Sequence, residues 1–254
     1  MPRLASEPSV EISEKSGVRY LHFGSEWIQG AMRVQRPNAL ELAYTREMLT
    51  GLLLRDTPWP RRALLIGLGA GSLAKFLYHK SPETKIIAVE IDPRVEIVAR
   101  LHFKLPQDPD RLKVLIGDGV DYLKNCRLKF DLILIDGFDK DADPGLLDSS
   151  PFYHDCRARL TDDGLLAINL LGKKRFEKSA EMIAEAFEER SLVFQSADNG
   201  NAIALAAGGN AVDVSFEEIS IAADTLYRRT GLNLASVIPR LQDSEKRIEN
   251  RLLI

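Results

Sequence analysis

The stretch RALLIGLGAGSLAKFL, residues 62–77, passes from an almost unbroken apolar run through three alternating glycines, Gly67, Gly69 and Gly71, into a segment with helical spacing. A glycine-rich turn between the first strand and first helix of an α/β sheet lets backbone approach a ligand closely. The helix N-terminus behind it favours anionic or hydrogen-bond-accepting groups. The stretch therefore predicts a strand, a tight turn and a helix that hold a nucleotide or nucleoside. Glycines in such a turn equally serve helix-to-strand packing, so both readings stand at this point.

Downstream, short apolar runs alternate with helix-length segments: ALLIG, KIIAVEID, LKVLIGD, FDLILID and GLLAINLL. Runs of this kind fit strands buried on both faces of a parallel sheet. The intervening stretches near 72–80, 94–104, 119–125 and 152–160 have helical period or helix-start signals, including Ser150 followed by Pro151. A charged helix at about 173–190 precedes two further strands, SLVFQSA and NAIALAAG, close enough to pair antiparallel. The expected fold is α/β, a doubly wound, mostly parallel sheet of seven strands.

Upstream, residues 8–34 alternate polar and apolar in short pieces punctuated by Gly17 and Gly24, which predicts a small antiparallel appendage. In PNALELAYTREMLTGLLL, Asn38 is a candidate cap with Glu41 three residues on, so a helix is expected over Ala39–Leu54. RDTPWPRR then marks a boundary. Near the C-terminus, SFEE opens a helix that closes at Gly231, and a charged terminal helix is expected from about Leu241. The layout is thus a β appendage with linking helix over 1–57, a nucleoside-binding catalytic domain over 58–212 and a helical extension over 213–254.

Composition narrows the function classes. The 254 residues are 45% hydrophobic, enough for a sizeable core, and 34 basic against 37 acidic side chains give a formal net charge of -3. That balance gives no sign of a partner held through nucleic-acid phosphates. The polar start and the shortness of the apolar runs predict no secretory signal and no membrane span, hence a cytoplasmic address. Two cysteines, Cys126 and Cys156, and four scattered histidines show no metal-ligand spacing, so no metal is expected.

Carboxylates close three further strands. Glu90 ends the second, about twenty residues past the glycines, where a carboxylate accepts ribose hydroxyls. Asp118 closes the third, and reads either as an acceptor for an adenine amino group or as a helix N-cap. The fourth is followed by LILIDGFDKDADP, residues 132–144, with Asp136, Asp139, Asp141 and Asp143 in eight positions. Asp141 and Asp143 read as a solvated loop. Asp136 stands where the reactive end of a bound nucleoside lies, and a partly desolvated carboxylate there attracts a cation and serves as a base.

The order GLGAG, VEID, GDG and IDGFD, preceded by AYTREML, resembles the polyamine aminopropyltransferases, the spermidine synthase family, over roughly residues 18–210. The resemblance implies the class I adenosylmethionine-dependent methyltransferase fold. It also implies decarboxylated S-adenosylmethionine as co-substrate, a small-molecule amine such as putrescine as acceptor, and a homodimer. By this likeness Glu90 holds the ribose, Asp118 and Gly119 the adenine, Asp136 acts on the attacking amine and Asp139 anchors its far end. Gln29 and Tyr44 become candidates for the amine pocket, though both also read as ordinary structural residues. The chain departs from the family at Ala70, where the glycine motif commonly carries an aspartate. It departs again at Thr45 and Arg46, which align with a tyrosine-histidine pair unless a one-residue shift gives Tyr44 the tyrosine's place. Methyl transfer from intact S-adenosylmethionine to a small nucleophile, and nucleoside binding without catalysis, are the alternatives these departures leave.

Overall fold

The computed structural model describes residues 9–24, 27–138, 143–171, 176–198 and 200–254. Strands β1 (Val10–Lys15), β2 (Val18–Phe23) and β3 (Gly30–Arg33) pair antiparallel as the expected N-terminal sheet. Leu21 and Met32 of this sheet bury against Ala70 and Phe103, which seats it beside the glycine turn.

The helix expected over Ala39–Leu54 is a correction. Helix α1 covers only Ala43–Glu47, runs into a 3-10 helix at Met48–Leu53, and has Leu42, not Asn38, at its N-cap. Tertiary bonds take the preceding residues out of the helix. Glu41 pairs with Arg33 of β3, while the Arg46 guanidinium donates to the carbonyls of Leu40 (3.0 Å) and Glu41 (2.7 Å). Beyond α1, Met48, Leu49, Leu52, Leu53 and Leu54 reach the core.

The main domain then alternates regularly. It runs β4 (Arg62–Ile66), α2 (Ser72–Lys80), β5 (Lys85–Glu90), α3 (Pro93–Phe103), β6 (Leu112–Ile116), α4 (Gly119–Asn125), β7 (Phe130–Ile135), α5 (Ser150–Ala158), β8 (Leu160–Leu171), α6 (Phe176–Ala186), β9 (Ser191–Gln195) and β10 (Asn201–Ala207). The seven strands lie in the order β6-β5-β4-β7-β8-β10-β9. Neighbours from β6 to β8 are parallel, and β10 is antiparallel to both β8 and β9. Period-2 alternation explains the continuous apolar runs. Ala63 and Leu65 face one side with α2, α3 and the 3-10 helix, whereas Leu64 and Ile66 face the other with α4, α5 and α6. From β4 the chain winds to β5 and β6 on one side and, after crossing back, to β7 and β8 on the other. That reversal opens a crevice at the carboxyl ends of β4 and β7.

The C-terminal region supplies a second correction. β11 (Asp213–Ser215) leads into α7 (Phe216–Thr230), which has the expected capping box of Ser215 and Glu218 and ends at Gly231 in the left-handed conformation, φ 79°. The short α8 (Ile238–Gln242) stops where a terminal helix was expected to begin. In its place β12 (Arg247–Ile248) and β13 (Arg251–Leu253) form a hairpin that adds to β11. Alternation wins over helix here because Leu252 and Ile254 are buried in the core while Arg251 pairs outward with Asp213.

Candidate active site

The glycine turn from β4 into α2 is left-handed at all three glycines, with φ of 90° at Gly67, 51° at Gly69 and 67° at Gly71. Each also has a packing reason. A Cβ on Gly67 would lie 2.1 Å from the carbonyl oxygen of Asp136, one on Gly69 2.8 Å from that of Gln29, and one on Gly71 2.8 Å from Leu105 Cδ1. Gly67 and Gly69 line a cavity of about 680 Å³ at the sheet's carboxyl edge, whereas Gly71 stands behind it as the N-cap of α2. For Gly71 the structure therefore favours packing over ligand contact.

Glu90, at the end of β5, is only 7% exposed and faces the same cavity. Its Oε2 accepts from the Leu68 amide at 2.9 Å and its Oε1 from the Asp92 amide at 3.0 Å. Burial raises its pKa, and the amides of Asp92, Leu68, Gly69 and Ile91 pull against that rise. The carboxylate thus braces the glycine turn while keeping lone pairs for a ligand. Asp118 is the N-cap of α4: its Oδ1 accepts from the amides of Val120 (2.7 Å) and Asp121 (3.2 Å), so the helix-cap reading holds, yet the residue also lines the cavity. Gly119 is held tightly, since a Cβ there would come 2.4 Å from Ile66 Cγ2.

Asp136 follows β7 directly, and its backbone amide donates to the Ile66 carbonyl at 2.9 Å, which keeps it in register with β4. Its carboxylate is held at both ends. Tyr44 Oη donates to Oδ2 at 3.2 Å, and Asn169 Nδ2 donates to Oδ1 at 2.9 Å. Burial pushes its pKa up against the lowering pull of Asn169 and Tyr44. The same burial, with the Asp136 charge, pushes the Tyr44 phenol well above its ordinary value. Tyr44 is itself placed by its amide, which donates to Asp198 Oδ2 at 2.9 Å.

Gln29, from the β2–β3 connection, lines the cavity with Trp27 and Ile28. Asp139 and Asp141 lie outside the described residues. Asp143 borders the cavity and accepts from the Gly145 amide at 3.1 Å. Arg46, aligned by sequence with a family site residue, turns to the backbone of Leu40 and Glu41 and is absent from the lining. Five carboxylates line the cavity, from Glu90, Asp92, Asp118, Asp136 and Asp143, and among the described lining residues there is no lysine, arginine or histidine. Such a site attracts cations and repels free carboxylates. Sequence reasoning missed Asp92, Asn169 and Asn201, all part of the lining. Asn169, the polar residue inside the apolar GLLAINLL strand, was the signal available.

The spermine/spermidine synthase domain model matches residues 41–200. The polyamine aminopropyltransferase of Chromobacterium violaceum is 36% identical over 254 residues, which is 100% of this chain and 97% of that protein. A crystal structure of a probable spermidine synthase from Corynebacterium glutamicum shares the fold with TM-score 0.71 at 20% identity, over 96% of this chain and 86% of that one. Human methyltransferase-like protein 13, solved with SAH, aligns with TM-score 0.64 at 26% identity over 75% of this chain and 93% of that one.

Proposed function

This chain belongs to the spermine/spermidine synthase family, and from that membership we propose that it is a polyamine aminopropyltransferase, carrying the aminopropyl group of decarboxylated S-adenosylmethionine to a diamine such as putrescine. The observation that carries the reading is the charge of the cavity: five carboxylates and no basic side chain among its described lining residues, with half-buried Asp136 at the carboxyl end of a central strand. The decarboxylated nucleoside presents a sulfonium and an ammonium and no carboxylate, so it suits this field.

The reaction is a displacement at carbon. The acceptor nitrogen bonds to the methylene beside the sulfonium, the carbon–sulfur bond breaks, and its electron pair neutralises sulfur to give methylthioadenosine. An alkyl ammonium with pKa near 10 is protonated by about a thousandfold at neutral pH, so the nitrogen must lose a proton before it attacks. Asp136, its pKa raised by burial, is the group we assign to take it, with Tyr44 aligning Oδ2. Alignment of the two substrates supplies much of the remaining acceleration. Glu90 and Asp118 hold the ribose and adenine, Gly67, Gly69 and Gly119 let backbone approach them, Gln29 serves the amine pocket, and Asp139 is the residue we assign to anchor the acceptor's other ammonium.

Ala70 favours one alternative. It is 2% exposed and packs with Leu21, Met32 and Phe103, so the position sets no negative charge against the carboxylate that distinguishes the intact nucleoside. Methyl transfer from intact S-adenosylmethionine is accordingly the second reading. Calorimetric titration with the intact and decarboxylated nucleosides, followed by mass-spectrometric detection of spermidine and methylthioadenosine, separates them: preference for the intact form with methylated product overturns the first. Among the described residues no helix is long and apolar enough to cross a membrane. We take the working form to be a cytoplasmic homodimer acting without nucleic acid or metal; sedimentation velocity at the monomer mass would overturn the dimer.

A further inference from the structure

The Asp136 carboxylate is one end of a chain of side chains that crosses three strands. Asn169, on β8 and 5% exposed, gives its amide N–H to Asp136 Oδ1 at 2.9 Å, and its own Oδ1 accepts from Asn201 Nδ2 on β10 at 2.7 Å. An amide has one donor end and one acceptor end, so this arrangement fixes which way Asn169 points. Turned over, it would set its oxygen against the Asp136 carboxylate, a repulsive contact, and would lose the Asn201 donor. The antiparallel pairing that puts Ala202 opposite Leu170 and Asn201 opposite Leu171 brings Asn201 beside Asn169.

We propose that Asn169, oriented by Asn201, is a positioning residue that holds the Asp136 carboxylate ionised and leaves its Oδ2, shared with Tyr44, as the edge that meets the amine. The proposal rests on the aminopropyl-transfer reading for its consequence and on geometry alone for its premise. Tyr44 from α1 is the other donor to Asp136, with Asp198 behind it. Among the described residues the remaining charged groups on the cavity wall are Glu90 and Asp92 by β5, Asp118 before α4 and Asp143 after β7, all acidic, so none supplies a cation to hold the Asp136 carboxylate. Against burial, which raises the Asp136 pKa, the Asn169 donor is the counterweight on Oδ1.

The test is the titration of Asp136 itself, read by carbon NMR of protein labelled at the aspartate carboxyls, with the resonance assigned from its loss in Asp136→Asn. In Asn169→Ala the midpoint should move up by about one pH unit or more, the scale set by one lost charge-assisted hydrogen bond. Asn201→Ala, which removes no contact to Asp136, should move it the same way by less, because only the lock on Asn169 is lost. This second variant keeps the test open should Asn169→Ala fail to fold. In turnover assays both variants should shift the acid limb of the kcat profile to higher pH while leaving the affinity for the nucleoside unchanged. Unmoved midpoints in folded variants would overturn the proposal and leave Asn169 a satisfied core amide. A moved midpoint in a protein with no aminopropyl transfer would sustain the positioning role and refute the functional reading instead.

Discussion

Asp136 and Glu90 are both acidic residues at the carboxyl ends of buried strands, and their partners separate their roles. Among the described residues the Asp136 carboxylate accepts from two side chains, Tyr44 and Asn169, so its removal leaves the described backbone around it bonded. Asp136→Asn should therefore retain nucleoside affinity by calorimetry and lose about a hundredfold or more in turnover, the scale of general-base catalysis; near-normal turnover would remove it from the mechanism. Glu90 accepts from the backbone amides of Leu68 and Asp92, so a variant touches the glycine turn as well as the ligand. Glu90→Ala should weaken nucleoside binding by roughly 2–4 kcal/mol and also lower the ligand-free Tm, since buried amides of the turn lose their acceptor at about 1–3 kcal/mol. A folded variant with unchanged affinity would confine Glu90 to the structural role. From sequence alone only the ligand effect is expected, because a strand-end carboxylate does not reveal that its oxygens are already claimed by the turn twenty residues earlier. The placement of both acids at one cavity was legible, because each ends an apolar run of the expected parallel sheet and such ends share one edge. Asn169 and Asn201 were not, because their meaning lies in each other and in Asp136, and those pairings depend on strand register across β7, β8 and β10.

At the scale of elements, legibility followed burial. Strands covered on both faces produce short unbroken apolar runs, and all seven of the central sheet appear where those runs occur. The failures lie where a few tertiary bonds decide the backbone: Arg46 and the Arg33–Glu41 pair shorten α1, and the burial of Leu252 and Ile254 turns a charged tail into a hairpin. The glycine turn is the element where local conformation and tertiary approach can be separated by experiment. Gly67 combines a φ of 90° with a would-be Cβ contact of 2.1 Å to the Asp136 carbonyl, whereas Gly17, with φ 73°, has nothing within 4 Å. Gly17→Ala should cost about 1–2 kcal/mol, the left-handed penalty alone. Gly67→Ala adds the clash, for a total of about 2–5 kcal/mol by denaturant midpoint, and it displaces Asp136 from its register with Ile66. Equal losses in the two variants would mean that the close approach of β4 and β7 is not what fixes glycine at position 67.

Stability of the whole molecule should depend on pH through a group that is not part of the cavity lining. Lys75, on α2, is 1% exposed among apolar neighbours, and its Nζ donates to the carbonyl of Phe103, the last residue of α3, at 2.7 Å. Burial, with a smaller contribution from the Lys104 charge, lowers its pKa from 10.5 to about 7. The unfolded chain keeps this lysine protonated up to about pH 10, so between the two values the unfolded state binds one proton more than the folded state and unfolding becomes harder as pH rises. Below pH 7 both states are charged and the full penalty of burying the ammonium is felt; above it the penalty is relieved. His79, whose pKa is lowered from 6.5, adds a rise of the same sign at lower pH, and Cys156, whose buried thiol is pushed well above 9.0, brings a fall at higher pH. Lys75 therefore dominates the window from pH 7 to 8.5, with Cys156 entering only at its upper end. Integrated over that window the gain is about 1.5 kcal/mol, or roughly 3–6 °C in Tm for a chain of this size. Lys75→Met should abolish the slope, because the substituted side chain has no proton to lose, whatever the cost of taking its donor from the Phe103 carbonyl. Calorimetric scans of both proteins across the window test this directly, and an equal slope in the two would show that Lys75 remains charged in the fold.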